Sequence, residues 1–154
     1  MHATLQATAT DGATTALTQD HERLRDQLQH AASSLADRRL RQARTDFRAF
    51  QAAFERHVRT EEEIVFPLFE VRVGLVGGPT VLMRDEHGRM AEHVQAMAAA
   101  FDRGDSATFG EAHARFAELF RAHTAKEERF LYTTLDRLLS SEQRAAVSGR
   151  LRQA

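Results

Sequence analysis

The chain has no cysteine in its 154 residues. That excludes a disulfide framework, a thiolate metal site and a cysteine nucleophile. It has no excess of either charge: 21 Lys and Arg stand against 22 Asp and Glu, a formal net charge of -1. No basic stripe appears, so neither nucleic acid nor an anionic membrane is expected as a partner. No apolar run is long enough to span a bilayer. The first residues, Met1-His2-Ala3-Thr4, lack the basic and apolar regions of a secretory signal, and the expected location is cytoplasmic. Proline is confined to Pro67 and Pro79. What remains is 42% apolar, enough for one domain with a full core.

The apolar residues recur at helical spacing, and no stretch reads as a strand. Residues 1–14 carry little periodicity and are expected to form a flexible N-terminal tail. A first helix follows on the stripe Leu17, His21, Leu24, Leu28, Ala31, Leu35, ending near Asp37-Arg38-Arg39. A second carries Phe47, Phe50, Phe54, His57, Glu61, Val65 and Leu68, and Pro67 is expected to kink it or hasten its end. Gly74-Leu75-Val76-Gly77-Gly78-Pro79 is a break, with Pro79 opening a third helix through Met83, His87, Met90, Val94 and Met97. Ser106 is expected to cap a fourth, on Phe109, His113, Phe116, Phe120, His123, Glu127 and Leu131. Residues 141–154 read as a short C-terminal helix, packed on the rest or extending from it. The expected fold is all-α: an antiparallel up-down four-helix bundle over residues 15–140 plus that helix.

Two polar steps interrupt the apolar stripes. His57 and Glu61 lie four residues apart, one helical turn or about 6 Å of rise, and so leave the helix on one face. His123 and Glu127 repeat the step. The halves are copies offset by 66 residues: His21 maps onto His87, Phe50 and Phe54 onto Phe116 and Phe120, and His57, Glu61 and Glu62 onto His123, Glu127 and Glu128. In an antiparallel pair, residues equidistant from the turn share a height. The midpoint of His21 and His57 is Arg39, that of His87 and His123 is Asp105, and that of Glu61 and His87 is Gly74; each falls in an expected turn. His21, His57, Glu61, His87, His123 and Glu127 should therefore form one inward-facing layer.

Four imidazoles and two carboxylates in one layer suit a pair of transition-metal ions, and the absence of thiolate favours iron or manganese. The ferritin-like bundles use Glu-x-x-His instead, in the reverse order. The pattern His…His-x-x-x-Glu…His…His-x-x-x-Glu resembles the hemerythrin-like, HHE cation-binding family over roughly residues 17–139. The matching motifs are Asp20-His21-Glu22, His57 to Pro67, Glu86-His87, and His123 to Tyr132. The resemblance implies a four-helix bundle holding two iron ions in a non-haem di-iron centre, oxo- or hydroxo-bridged, with carboxylate bridges from Glu61 and Glu127. One iron would have His21 and His57, the other His87 and His123. Oxygen-carrying members place a fifth histidine where this chain has Ala91, and an aspartate five residues after the last histidine where this chain has Glu127 at four. A nearly symmetric site with open coordination is therefore expected.

Other polar residues read differently. Glu62 and Glu128 sit one residue off the inner face and are expected at the surface or boundary. Asp20 and Glu86 precede site histidines and could orient an imidazole or simply face solvent. Tyr132 lies nine residues from His123, about 180° around an α-helix, and is expected in packing rather than among the metal ligands. His113 reads as a boundary histidine; His2, His30 and His93 do not fit the layer. The expected function is to bind, sense or handle O2 or NO, with a redox or effector protein as possible partner. The alternatives are a di-iron enzyme reducing peroxide or NO or oxidising iron, or an iron sensor or storage protein.

Overall fold

The helical spacing becomes helix almost throughout. The computed structural model describes residues 12–74 and 77–153, and among these there is no strand. α1 spans Ala13–Ala36, α2 Leu40–Thr60, α3 Phe66–Val73, α4 Pro79–Asp102, α5 Ser106–Lys126, α6 Tyr132–Leu138 and α7 Ser141–Leu151. Two π-helical turns, Glu61–Val65 and Glu127–Leu131, join α2 to α3 and α5 to α6 without leaving the helical path. The main helix pairings are α1 with α2 and α4 with α5, and α7 packs on α1 and α2. No helix among the described residues is long and apolar enough to cross a membrane.

Local chemistry explains the ends. The α1–α2 turn contains no glycine or proline, yet the chain turns because Arg38 adopts a φ of 59°. Between α4 and α5, Gly104 supplies a φ of 70° without a side-chain clash. The cap of α5 is Asp105, not Ser106: its carboxylate accepts the Thr108 N–H at 3.0 Å. Ser140 and Gln143 form a reciprocal capping box at the start of α7. Of the expected tail, residues 1–11 lie outside the described residues. Ala13 and Thr14 already belong to α1; Ala13 is buried, and the Thr14 hydroxyl donates to the Tyr132 carbonyl at 2.9 Å.

Pro67 does not end its helix. The Phe66 N–H reaches back five residues to the Glu61 carbonyl, and α3 then continues to Val73 with Pro67 in its first turn, where the missing N–H costs little. Nor is the proline the cause of the π-turn. The same turn recurs 66 residues later, closed by the Tyr132 N–H on the Glu127 carbonyl, where Thr133 stands in place of Pro67. Pro67→Ala should accordingly change stability by less than about 1 kcal/mol and leave metal content unchanged. Urea unfolding with metal analysis of the variant checks this; loss of metal would make the proline a determinant of the site.

The core is divided. One cluster packs Leu24, Leu28, Phe47, Phe50, Phe54, Met90, Met97, Phe116 and Phe120. The other packs Leu17, Val65, Phe66, Met83, Leu131, Tyr132 and Leu135, and takes in Val147 and Leu151 of α7. Each such side chain contributes about 1.5–3 kcal/mol by leaving water. Along every long helix the six polar residues fall between members of the two clusters. A polar layer thus sits between two apolar ones.

Candidate metal centre

The polar layer is buried: His21, His57, Glu61, His87, His123 and Glu127 are all at most 2% exposed. α1 supplies His21, α2 His57 and α4 His87; α5 supplies His123, and each π-turn begins on a carboxylate, Glu61 or Glu127. The imidazoles meet in pairs. His21 Nε2 lies 3.1 Å from His57 Nε2, and His87 Nε2 lies 3.1 Å from His123 Nε2. Each carboxylate spans the two pairs. Glu61 Oε1 is 3.4 Å from His57 Nε2 while its Oε2 is 3.0 Å from His87 Nε2. Glu127 Oε1 is 3.0 Å from His123 Nε2 and 3.3 Å from His21 Nε2. Two four-residue ligand groups result, His21-His57-Glu61-Glu127 and Glu61-His87-His123-Glu127, and they share both carboxylates.

The outer edge of each ring is tied to an acid. His57 Nδ1 lies 2.8 Å from Asp20 Oδ2, and His123 Nδ1 2.7 Å from Glu86 Oε2. His87 Nδ1 lies 2.9 Å from Glu62 Oε1, and His21 Nδ1 2.9 Å from Glu128 Oε1. Asp20 is held in turn by Arg23 at 2.6 Å, and Glu86 by Lys126. An Nδ1–H donated outward leaves the Nε2 lone pair pointing inward, the tautomer a metal needs. Glu62 and Glu128 thus lie at the boundary, as expected, and also contact the imidazoles. Both remain 36% exposed at the side chain, yet each orients an imidazole of the opposite half. Their recurrence at the 66-residue offset, like that of Asp20 and Glu86, was the sequence signal for this role.

Tyr132 packs in the second cluster and stays out of both ligand groups, as expected, but it faces the layer. It is buried, its ring stacks on His21 at 5.6 Å, and its hydroxyl donates to Glu61 Oε1. The π-turn is the reason. One extra residue in the turn rotates everything after Glu127 by about 100°, which brings a side chain aimed at the far face round to the layer. Its repeat counterpart is Phe66, which stacks on His87 at 5.4 Å and has no hydroxyl. His113 stays outside the layer, half-buried near Phe109. His30 is exposed, His93 is half-buried away from the layer, and His2 lies outside the described residues.

A chain with this layer, built twice on the same spacing, matches the family model for the hemerythrin HHE cation-binding domain over residues 12–135. The chain belongs to the hemerythrin HHE cation-binding family. No curated protein and no solved structure matches it. The hemerythrin residues in this chain fit a metal on their own geometry. Glu61 Oε2 and both oxygens of Glu127 are buried without a properly directed hydrogen bond, although imidazole nitrogens lie 3.0 Å from Glu61 Oε2 and Glu127 Oε1. Atoms that close and that poorly aligned for hydrogen bonding are placed to face a common cation.

Protons are unevenly shared when no cation is present. Burial and the adjacent His57 push His21 down to about 2. Burial also opposes charge on His57, but Glu61 and Asp20 outweigh it and lift the imidazole to about 9. Burial works against the Glu61 carboxylate, yet His57 holds it well below the usual range. Glu127 goes the other way: burial and the neighbouring Glu61 charge drive it well above that range. The two carboxyls are too close for both to ionise without added positive charge.

Proposed function

We propose that this hemerythrin-family chain is an antiparallel four-helix bundle that holds two iron ions in a non-haem di-iron centre, and that it binds, senses or handles O2 or NO. His21 and His57 would serve one ion and His87 and His123 the other, with Glu61 and Glu127 bridging. The observation that carries this reading is the pair of shared carboxylates between two imidazole pairs, each ring tied outward at Nδ1. Nitrogen and oxygen donors without sulfur suit iron. When bound, such a centre supplies electrons and an open coordination position to a small ligand.

The protein's own part is positioning. Asp20, Glu62, Glu86 and Glu128 fix the rings; the two apolar clusters flank the layer on either side. A second reading, an enzyme reducing peroxide or NO, draws on Tyr132. Its buried phenol places a proton beside Glu61.

Protein made in iron-rich medium should approach two iron per chain, and His21→Ala or His87→Ala should each lower that content. A single zinc indifferent to both substitutions would end the di-iron reading. Stopped-flow absorption of the reduced protein with O2 and with NO then tests ligand binding. Sustained turnover of peroxide with a reductant would shift the assignment to the enzyme.

A further inference from the structure

The two halves of the layer differ in how they meet solvent. Between α2 and α4 a cleft of about 400 Å³ runs in beside His87. Phe54, Val58, Ala91 and Val94 line it with apolar surface, and Gln51 and Gln95 add two neutral amides. Glu55 and Arg59 line it too, but they are paired at 2.7 Å and well exposed, so they add no net charge. The opening exists because Ala91, one turn along α4 from His87, ends at its Cβ.

The repeat counterpart of Ala91 is Arg25. Phe54 and Val58 map in the same way onto Phe120 and Thr124. Where α2 and α4 leave space, Arg25 bridges α1 and α5: its guanidinium lies 5.5 Å from the centre of the Phe120 ring and donates to Thr124 Oγ1 at 2.8 Å. A charged group therefore spans the approach to His21, and the Tyr132 ring backs that imidazole. The approach to His87 is uncharged and open.

We propose that small, uncharged, weakly polar molecules reach the metal layer through the α2–α4 cleft beside His87, and that Arg25 closes the corresponding path beside His21. The inference rests on the metal-centre reading for its destination but not for the cleft itself. Walls that are largely apolar and carry no net charge favour an uncharged ligand, which loses little on leaving water. The volume lies in the range of ligand pockets and far exceeds the roughly 30 Å³ share of one water, so the cleft also admits molecules larger than a diatomic. A site symmetric in its ligands becomes one-sided in its access.

Two measurements test this separately. Crystals of the full chain as isolated, pressurised with xenon, should hold xenon between Phe54, Ala91 and Val94 and none beside Arg25. Xenon beside Arg25, or its absence from the cleft, overturns the proposal whatever metal the protein carries. In the iron-loaded, reduced protein, Ala91→Phe should fill the cleft and slow NO association roughly tenfold or more. Arg25→Ala should leave that rate unchanged or raise it. NO association at the parent rate in Ala91→Phe, with iron content intact, overturns the proposal, as does slowing by Arg25→Ala. If Ala91→Phe does not fold, Ala91→Leu takes its place under the same criteria. A chain that takes up no iron fails the metal-centre reading, and the xenon result still decides the cleft.

Discussion

Glu61→Ala and Glu127→Ala are each expected to lose most of the iron and almost all of the stability that iron confers. Each residue lies between both imidazole pairs, so either deletion takes a donor from both four-residue groups. Metal that binds only the folded chain stabilises it by about 2.7 kcal/mol at a hundred times the dissociation constant and about 4.1 at a thousand times. That whole increment is at stake. The two variants should part company without metal. Glu61→Ala leaves the buried, charged His57 with Asp20 as its remaining acidic partner and costs up to about 3–5 kcal/mol. Burial and the Glu61 charge drive Glu127 towards its neutral form, so its removal should cost far less. Urea unfolding of both variants, anaerobically with ferrous iron and again with a chelator, measures the difference. Equal losses under chelation would mean that the two carboxyls share their proton evenly.

Tyr132 gives the second large effect. Tyr132→Ala empties a buried ring site beside His21 and should cost about 3–5 kcal/mol. Tyr132→Phe keeps the ring, which the layer already accepts at Phe66, and removes only the hydroxyl donated to Glu61. A hydrogen bond to a charged acceptor is worth about 1.5–3 kcal/mol, so the phenylalanine variant should fall in that range. On the proposed di-iron reading it should keep the parent's iron content while the two ions become spectroscopically more alike. Chemical denaturation and Mössbauer spectra of parent and variant provide the check. Unchanged stability and an unchanged difference between the ions would remove Tyr132 from the site.

The six layer residues were legible because their spacing is local. His57 to Glu61 and His123 to Glu127 are single α-turns that close before either π-turn departs from α geometry. The turns at Asp37-Arg38-Arg39 and Gly104-Asp105 lie at the midpoints of the histidine pairs and so set those pairs at one height. What lay beyond each π-turn was not legible. Glu61-Glu62-Glu63-Ile64-Val65 and Glu127-Glu128-Arg129-Phe130-Leu131 share little besides their opening acids, and nothing in them marks a widened turn. An α-helical count therefore sent Tyr132 to the far face. The partners of Glu62 and Glu128 were hidden for another reason. Each acts on a histidine of the other half, and helical spacing within one segment carries no information about such a partner.

That crossed arrangement has a consequence for heredity. His57 and His123 are held by acids of their own half, Asp20 and Glu86, but His21 depends on Glu128, 107 positions away, and His87 on Glu62, 25 positions away. A substitution at Glu128 is felt first at His21, in the other copy of the repeat. The two halves, though built on one pattern, are therefore not free to diverge separately: each carries part of the other's selective constraint.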